Sequence, residues 1–167
     1  MTDAHHANRE FTLMWTLDAS PDDVFRAWTD PTQLGWFYND GQPAPDEPIE
    51  VDLTVGGAWR QKMVLDEETS YTTGGIYREI VPGERLVYSW GAEGGWPELD
   101  PANLDGSPLI TVVLTRAGDG TEMTVHVTLP DAFVAATPPA WLEHIETGMR
   151  DTVDRLVAAL ATAAPTT

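Results

Sequence analysis

The stretch GGIYREIVPGERLVYSW, residues Gly74–Trp90, decides how the middle of the chain folds. Two segments rich in β-branched and aromatic residues flank Pro82-Gly83, a dipeptide typical of the tight turn between antiparallel strands. The stretch therefore predicts a β-hairpin. Its rings at Tyr77, Tyr88 and Trp90 either fill a core or form the wall of a binding site, because such side chains suit both roles.

The segments on both sides of this hairpin continue the strand pattern. Alternation of apolar and polar residues, with turn residues between the segments, is typical of half-buried antiparallel strands. The Gly- and Pro-rich stretch 91–108 is too long for a tight hairpin, and loops of that length are often functional. The seven predicted strands are Phe11–Leu17, Ile49–Val55, Ala58–Leu65, Tyr71–Val81, Arg85–Trp90, Leu109–Arg116 and Glu122–Leu129.

Helix signals follow the first predicted strand. Ser20 can cap a helix, Pro21 suits the first helical position, and Asp23 favours the positive end of the helix dipole. This helix should end at Asp30-Pro31, because the residue before proline avoids the α region. A second short helix or turn is predicted around Trp36.

The last long segment has helical periodicity. Thr137 is the predicted N-cap and Pro138-Pro139 the start, and apolar residues then recur at spacings of three and four from Leu142 to Leu160. An apolar helix stripe and an apolar sheet face must cover each other. The predicted fold is therefore α+β, a curved antiparallel sheet of about seven strands around a long C-terminal helix. Residues 9–162 are the predicted single domain, with flexible segments 1–8 and 163–167.

Composition narrows the function classes. The 167 residues contain no cysteine, so disulfides, thiolate zinc sites and cysteine nucleophiles are excluded. The chain has 27 Asp and Glu against 9 Lys and Arg, and its net charge of −18 repels phosphate backbones and anionic membranes. We therefore expect that the protein binds neither nucleic acid nor a membrane. A cytoplasmic protein is expected, since the sequence has no signal-peptide pattern and no long apolar run. The acidic surface fits either plain solubility or a salty cytoplasm.

Several stretches together resemble one known superfamily. They are SPDDVFRAWTDPTQLGWF (Ser20–Phe37), VDLTVGGAWRQKM (Val51–Met63), the hairpin Gly74–Trp90, ITVVLTRAGDGTEMTVHVTLP (Ile110–Pro130) and GMRDTVDRLVAAL (Gly148–Leu160). In this order they resemble the START-like (SRPBCC) helix-grip superfamily, particularly the branch related to the activator of the ninety-kilodalton heat-shock-protein ATPase. The family often has a Gly-Trp pair in the last helix, where this chain has Gly148-Met149.

The resemblance implies a cavity between the last helix and the concave face of the sheet. Trp96, in the long loop, is a candidate lid, or else a ring that pins the loop. His144 is a candidate for the rim of the cavity. The alternative for the aromatic residues is that they merely fill the core. The candidate lining residues are Trp36, Phe37, Trp59, Gln61, Met63, Tyr77, Tyr88, Trp90, Ile145 and Met149.

No motif for a nucleophile, a phosphate loop or a metal site is recognisable, so no catalytic residue is predicted. The expected function is the binding of a small hydrophobic or aromatic molecule, without cofactor or metal, by a monomer or homodimer. Two alternatives stay open. One is a co-chaperone-like module that docks on a chaperone through an exposed apolar patch. The other is a cyclase- or dehydratase-like enzyme acting on a polyketide-type substrate.

Overall fold

The computed structural model describes residues 10–37, 49–64, 68–93, 102 and 106–163. Seven antiparallel strands form one sheet in the order β1-β7-β6-β5-β4-β3-β2, and a long helix follows them, which confirms the predicted α+β fold. The elements are β1 Glu10–Leu17, α1 Pro21–Thr29, a 3-10 helix Leu34–Phe37, β2 Glu50–Val51, β3 Ala58–Val64, β4 Ser70–Val81, β5 Arg85–Glu93, β6 Leu109–Ala117, β7 Gly120–Thr128, α2 Asp131–Ala136 and α3 Pro139–Ala163.

The predicted hairpin is the β4–β5 pair. The amide of Glu84 donates to the carbonyl of Val81 at 2.9 Å, which closes a four-residue turn. Gly83 has a φ of 76°, a backbone conformation that glycine adopts without strain. The pairing shifts between Tyr77 and Glu79, so a β-bulge bends the strand just below the turn.

Helix α1 begins and ends where the sequence predicts. The Ser20 hydroxyl accepts a hydrogen bond from the amide of Asp23 at 3.2 Å, and Pro21 occupies the first turn. The chain leaves the helix at Asp30, which precedes Pro31 and has an extended backbone. The helix buries Val24, Phe25 and Trp28 among its core contacts, so it lies against the sheet with its apolar side inward.

The predicted strand Ile49–Val55 is wrong in its second half, because β2 ends at Val51. Beyond it, the amide of Thr54 donates to the carbonyl of Asp52, and the amide of Gly57 donates to the carbonyl of Thr54, both at 2.8 Å. The Thr54 hydroxyl also donates to the Asp52 carboxylate at 3.1 Å. Local bonds of Asp and Thr thus replace the ladder, as these side chains favour in turns.

The predicted N-cap at Thr137 is also wrong. A short helix, α2, precedes the long one, and the Thr137 hydroxyl donates back into it, to the carbonyl of Phe133 at 2.6 Å. The carbonyl of Pro138 instead accepts from the amides of Trp141 and Leu142, so Pro138 opens α3. Sequence periodicity did not predict α2, because a six-residue helix is too short to display it.

The core lies between the concave face of the sheet and the apolar stripe of α3. Leu142, Ile145, Met149, Val153 and Leu156 of α3 belong to the same buried cluster as the alternate strand residues of the sheet. This confirms the predicted packing of the helix stripe. None of the helices in the described ranges combines the length and apolar content that crossing a membrane requires.

Candidate ligand-binding site

Four aromatic residues of β3, β4 and β5 share the concave face of the sheet. Tyr77 pairs directly with Tyr88, while Gly75 is flanked by Trp59 on one side and Trp90 on the other. Side chains directly opposite each other in adjacent strands point to the same face. We call Trp59, Tyr77, Tyr88 and Trp90 the aromatic layer.

The rings of the aromatic layer pack edge to face. The ring centroids of Trp59 and Tyr88 lie 5.7 Å apart at an interplanar angle of 84°, and those of Tyr77 and Tyr88 lie 6.5 Å apart at 76°. This is the geometry that the quadrupoles of aromatic rings favour. Tyr77 is 1% exposed and Tyr88 2%, so both lie deep in the molecule.

Gly75 lets the rings of the aromatic layer approach the backbone. A Cβ at this position would stand 2.5 Å from the carbonyl oxygen of Ser89 and 2.8 Å from Cδ2 of Tyr88. Any side chain here would therefore displace the Tyr88 ring. Gly75 was not among the predicted site residues, since a glycine in a strand gives no sign of which ring it makes room for.

Two polar atoms of the aromatic layer are buried without a hydrogen-bond partner, the hydroxyl oxygen of Tyr77 and Nε1 of Trp90. A buried polar group left unpaired costs roughly 1–3 kcal/mol. Burial, and after it the nearby Asp52 carboxylate, raises the pKa of Tyr77 above its ordinary value, and burial likewise raises the pKa of Tyr88. Tyr77 is therefore protonated at neutral pH and can donate a hydrogen bond.

The neighbouring polar groups of this face are satisfied. Nε1 of Trp59 donates to Oε1 of Gln61 at 3.2 Å, and Nε2 of Gln61 donates to the carbonyl of Leu34 at 3.1 Å. Gln61 is completely buried, and it thereby ties β3 to the 3-10 helix. The unpaired donors are thus confined to Tyr77 and Trp90 among the buried side chains that the structure describes.

The other predicted lining residues occupy different places. Met63, Ile145 and Met149 are buried, the last two on the stripe of α3 that faces the sheet. Trp36, a residue of the 3-10 helix, is buried, and its Nε1 donates to the carbonyl of Ala27 on α1. His144 is exposed on α3. Trp96 and the side chain of Phe37 lie outside the described part of the structure.

Two cavities of the described structure are not lined by the two unpaired donors. One, of about 210 Å³, is lined by the paired Gly74 and Gly91 and by Arg60 and Ile76. The other, of about 590 Å³, is a cleft between α1, the 3-10 helix and the C-terminal half of α3. Tyr77, Tyr88 and Trp90 line neither of them, whereas Trp59 and Gly75 are among the residues that line the smaller one. Neither cavity can be predicted from the sequence, because both depend on which elements meet in space.

A sheet of seven antiparallel strands that curves around a C-terminal helix is the helix-grip arrangement of START-like proteins. The family model described as Activator of Hsp90 ATPase homolog 1-like protein matches residues 18–161. The chain therefore belongs to this family, which confirms the resemblance noted in the sequence. Family and fold together support a ligand-binding module in general terms.

Solved structures resemble the chain over nearly its whole length. Protein CV1439 from Chromobacterium violaceum is 27% identical, with 90% of this chain and 95% of that chain covered and a TM-score of 0.66. Protein Ms6760 from Mycobacterium smegmatis is 16% identical, with coverage of 95% and 94% and a TM-score of 0.72. No curated protein sequence matches the chain.

DynU16, a protein in the dynemicin biosynthetic locus, is 21% identical to this chain with a TM-score of 0.66. The alignment covers 94% of this chain and 49% of DynU16, so the chain spans about half of that protein. At such identity the similarity to DynU16 and to Ms6760 concerns the fold alone.

Proposed function

We propose that this protein binds a small apolar or aromatic molecule between the concave face of the sheet and α3, and that the ligand carries a hydrogen-bond acceptor. The observation that carries the proposal is the pair of buried, unpaired donors, the Tyr77 hydroxyl and Nε1 of Trp90. Buried polar groups in folded proteins are almost always paired, so an unpaired one calls for a partner.

The two donors can serve the same ligand. Tyr77 pairs with Tyr88, and Trp90 lies two residues beyond Tyr88 on the same face, so Tyr77 and Trp90 are diagonal neighbours. Diagonal neighbours in a sheet are roughly 7–8 Å apart, within reach of one ring system with one or two oxygens. Both donors are neutral, which favours a carbonyl, ether or phenol oxygen over a carboxylate, whose burial needs a cation.

Binding requires a movement of the protein. Tyr77 and Tyr88 are almost inaccessible, and Ile145 and Met149 of α3 belong to the same buried cluster. A ligand that reaches the two donors must therefore displace side chains that now cover them. Association is expected to be slower than for a preformed pocket, because conformational change lowers association rates.

The described surface gives less support to the co-chaperone alternative. Docking on a chaperone would use a contiguous apolar patch. The exposed large apolar residues are Met14 on the edge strand β1, Leu53 and Val55 beyond β2 at the opposite edge, and Trp141 on α3. Residues at opposite edges of one sheet do not form one patch, so this hypothesis rests on the family name alone.

The cyclase or dehydratase alternative needs a group that moves protons beside the ligand. Burial raises the pKa values of Tyr77 and Tyr88, so both phenols stay protonated at neutral pH and neither is available as a base. His144, the histidine on α3, is exposed rather than directed into the core. Ligand binding without chemistry is therefore the function we infer, and a cytoplasmic location remains a prediction.

The proposal can be tested with a matched pair of probes, 9-fluorenone and fluorene. The two have the same ring skeleton, but only fluorenone has an acceptor oxygen. Fluorenone should raise the melting temperature of the protein, measured by circular dichroism, more than fluorene does. In Tyr77→Phe the ratio of the affinity for fluorenone to that for fluorene should fall about fivefold, because one hydrogen bond is lost.

Tyr71→Phe is the matched control. Tyr71 lies on the same strand and also has a pKa raised by burial, but it is six residues from Tyr77, roughly 20 Å along β4. This variant should keep the full preference for fluorenone. Equal shifts by the two probes, or an unchanged preference in Tyr77→Phe, would remove the support for the proposal.

A further inference from the structure

The cleft between α1, the 3-10 helix and α3 has an apolar floor. Its volume of about 590 Å³ lies in the range of small-molecule sites. Leu156 and Ala27 in the floor are 0% and 2% exposed, and Trp36 is 6% exposed. Ala159 on α3 also lines the cleft and is exposed. The methyl groups of Ala27 and Ala159 are too small to fill the space between the two helices.

The floor is held rigidly. Nε1 of Trp36 donates to the carbonyl of Ala27 at 2.8 Å, which ties the 3-10 helix to α1. Nε of Arg155 donates to the carbonyl of Trp36 at 3.0 Å, which ties α3 to the same residue. The three elements that enclose the cleft are thus joined by hydrogen bonds through Trp36, so the cleft is a preformed feature of the fold.

The rim of the cleft is acidic. Asp18, Asp23 and Asp30 line it, and Arg26 beside them forms an ion pair with Asp23. A second guanidinium, that of Arg155, contacts the floor at the carbonyl of Trp36. The carboxylate of Asp30 accepts hydrogen bonds from the hydroxyl and the amide of Thr32, at 2.7 and 2.9 Å. These bonds lower the pKa of Asp30, so it is ionised at neutral pH.

We propose that this cleft binds a small organic cation with a compact apolar body and one ammonium group. The apolar body lies on the floor formed by Ala27, Trp36 and Leu156, and the ammonium faces the carboxylates of the rim. The three carboxylates of Asp18, Asp23 and Asp30 outnumber the two guanidinium groups, those of Arg26 and Arg155. The net charge of −18 adds to the attraction, because such a field raises the local concentration of cations.

This site is separate from the one proposed above, both in its residues and in the ligand it selects. The aromatic layer offers two neutral donors, which suit an acceptor oxygen, whereas the cleft offers carboxylates, which accept from an ammonium. A protonated amine has no acceptor for Tyr77 or Trp90. Binding at one site can therefore be measured without binding at the other.

Three probes with one carbon cage and different charge test the inference, namely adamantan-1-amine, adamantan-1-ol and adamantane-1-carboxylate. Isothermal titration calorimetry of the intact chain at low ionic strength should show the highest affinity for the amine, a lower affinity for the alcohol and the lowest for the carboxylate. We expect the amine to bind about tenfold or more tightly than the carboxylate, since the same rim attracts one and repels the other. Added salt should weaken binding of the amine and reduce the differences between the three affinities.

Two variants locate the binding. Ala159→Phe fills the cleft from an exposed helix position and should abolish binding of all three probes, while circular dichroism confirms the native fold. Asp18→Asn should weaken the amine by roughly two- to fivefold and leave the alcohol unchanged. The matched charge control is Glu143→Gln, an exposed position on α3 sixteen residues from Ala159, roughly 24 Å away along the helix.

The outcomes separate the two proposals. Tyr77→Phe should bind the amine like the unchanged protein, whatever it does to fluorenone. The inference is overturned if the carboxylate binds as tightly as the amine, if Ala159→Phe binds the amine normally, or if Glu143→Gln weakens it as much as Asp18→Asn does. An effect of Tyr77→Phe on the amine would also overturn it, because the cation would then lie in the aromatic layer.

Discussion

Two groups of aromatic residues lie in one core and differ in how their polar atoms are satisfied. In the tryptophan pair, Trp28 and Trp36, the ring centroids lie 5.0 Å apart, and both indoles donate, Trp28 to the sulfur of Met123 and Trp36 to the carbonyl of Ala27. In the aromatic layer, the edge-to-face packing is the same, but the hydroxyl of Tyr77 and Nε1 of Trp90 have no partner.

This difference separates a structural role from a binding role more clearly than aromatic content does. Trp28, Trp36, Trp59, Tyr77 and Tyr88 belong to one buried cluster that also includes residues of α3, and Trp90 packs against that cluster partly buried. A satisfied indole contributes to stability in the free protein, whereas an unpaired donor lowers stability until a partner arrives. The tryptophan pair is therefore interpreted as scaffold, with Trp36 also forming the rigid floor of the cleft. The aromatic layer is the candidate site for a ligand with an acceptor oxygen.

The largest expected effect is on the scaffold. Trp36→Ala should lower the free energy of unfolding by about 3–5 kcal/mol, because it leaves a cavity and an unpaired Ala27 carbonyl. Denaturant unfolding measures this. Trp141→Ala is the control, since Trp141 is 48% exposed and its loss should cost less than about 1 kcal/mol. Equal losses in the two variants would contradict the scaffold role of Trp36.

A matched pair of conservative changes sharpens the comparison. Trp36→Phe removes an indole that donates at 2.8 Å, and Trp90→Phe removes one that donates to nothing in the free protein. The first change should cost roughly 1–3 kcal/mol more in free energy of unfolding, since it strands a buried acceptor. If Trp90→Phe were the more damaging, the indole of Trp90 would have a partner after all.

Alkaline pH should distinguish the tyrosines of the aromatic layer. Burial raises the pKa of Tyr77 and Tyr88, so the folded protein keeps protons that the unfolded chain loses above its ordinary tyrosine pKa of about 10. The contribution of these two tyrosines to the free energy of unfolding is therefore constant below about pH 10 and falls above it. Each tyrosine contributes about 1.4 kcal/mol per pH unit to the fall.

Tyr77→Phe should reduce the fall in the free energy of unfolding at alkaline pH by the contribution of one tyrosine, about 1.4 kcal/mol per pH unit. Urea unfolding at a series of pH values between about 9 and 11 gives the slope for both proteins. A slope that Tyr77→Phe leaves unchanged would mean that Tyr77 ionises as readily in the folded as in the unfolded state, contrary to its burial.

The smallest expected effect is that of Tyr77→Phe at neutral pH. Removing a buried hydroxyl without a partner should leave the free energy of unfolding unchanged or raise it by up to about 1 kcal/mol. Thermal and denaturant unfolding without ligand measure it. A loss of more than about 1 kcal/mol would show that the hydroxyl is bonded in the free protein, and the aromatic layer would then be scaffold too.

Much of the fold could be predicted from the sequence, because strands, turns and caps are local. Ser20, Pro21 and Asp30 fixed α1 at both ends, and Pro82-Gly83 fixed the hairpin. Apart from the short helix α2, the errors lie where side chains compete with the backbone for hydrogen bonds. Thr54 bonds to Asp52 and ends β2 early, and Thr137 bonds back to Phe133 rather than forward to α3.

The site was harder to predict than the fold. Alternation along β4 and β5 placed Tyr77, Tyr88 and Trp90 on one face, but it carries no information on which of their polar atoms find partners. That depends on contacts such as Nε1 of Trp59 with Gln61. The acidic cleft depends on Asp18 and Ala159 meeting from distant parts of the chain, which no local pattern predicts.

The most direct test of the central claim is the nuclear magnetic resonance signal of the Trp90 indole proton, assigned by its loss in Trp90→Phe. On addition of 9-fluorenone this signal should move downfield, because Nε1 gains an acceptor, while the Trp36 signal stays in place and fluorene leaves both unchanged. A Trp90 signal that fluorenone does not move, or that fluorene moves equally, would contradict the account that the unpaired donors of the aromatic layer bind a ligand.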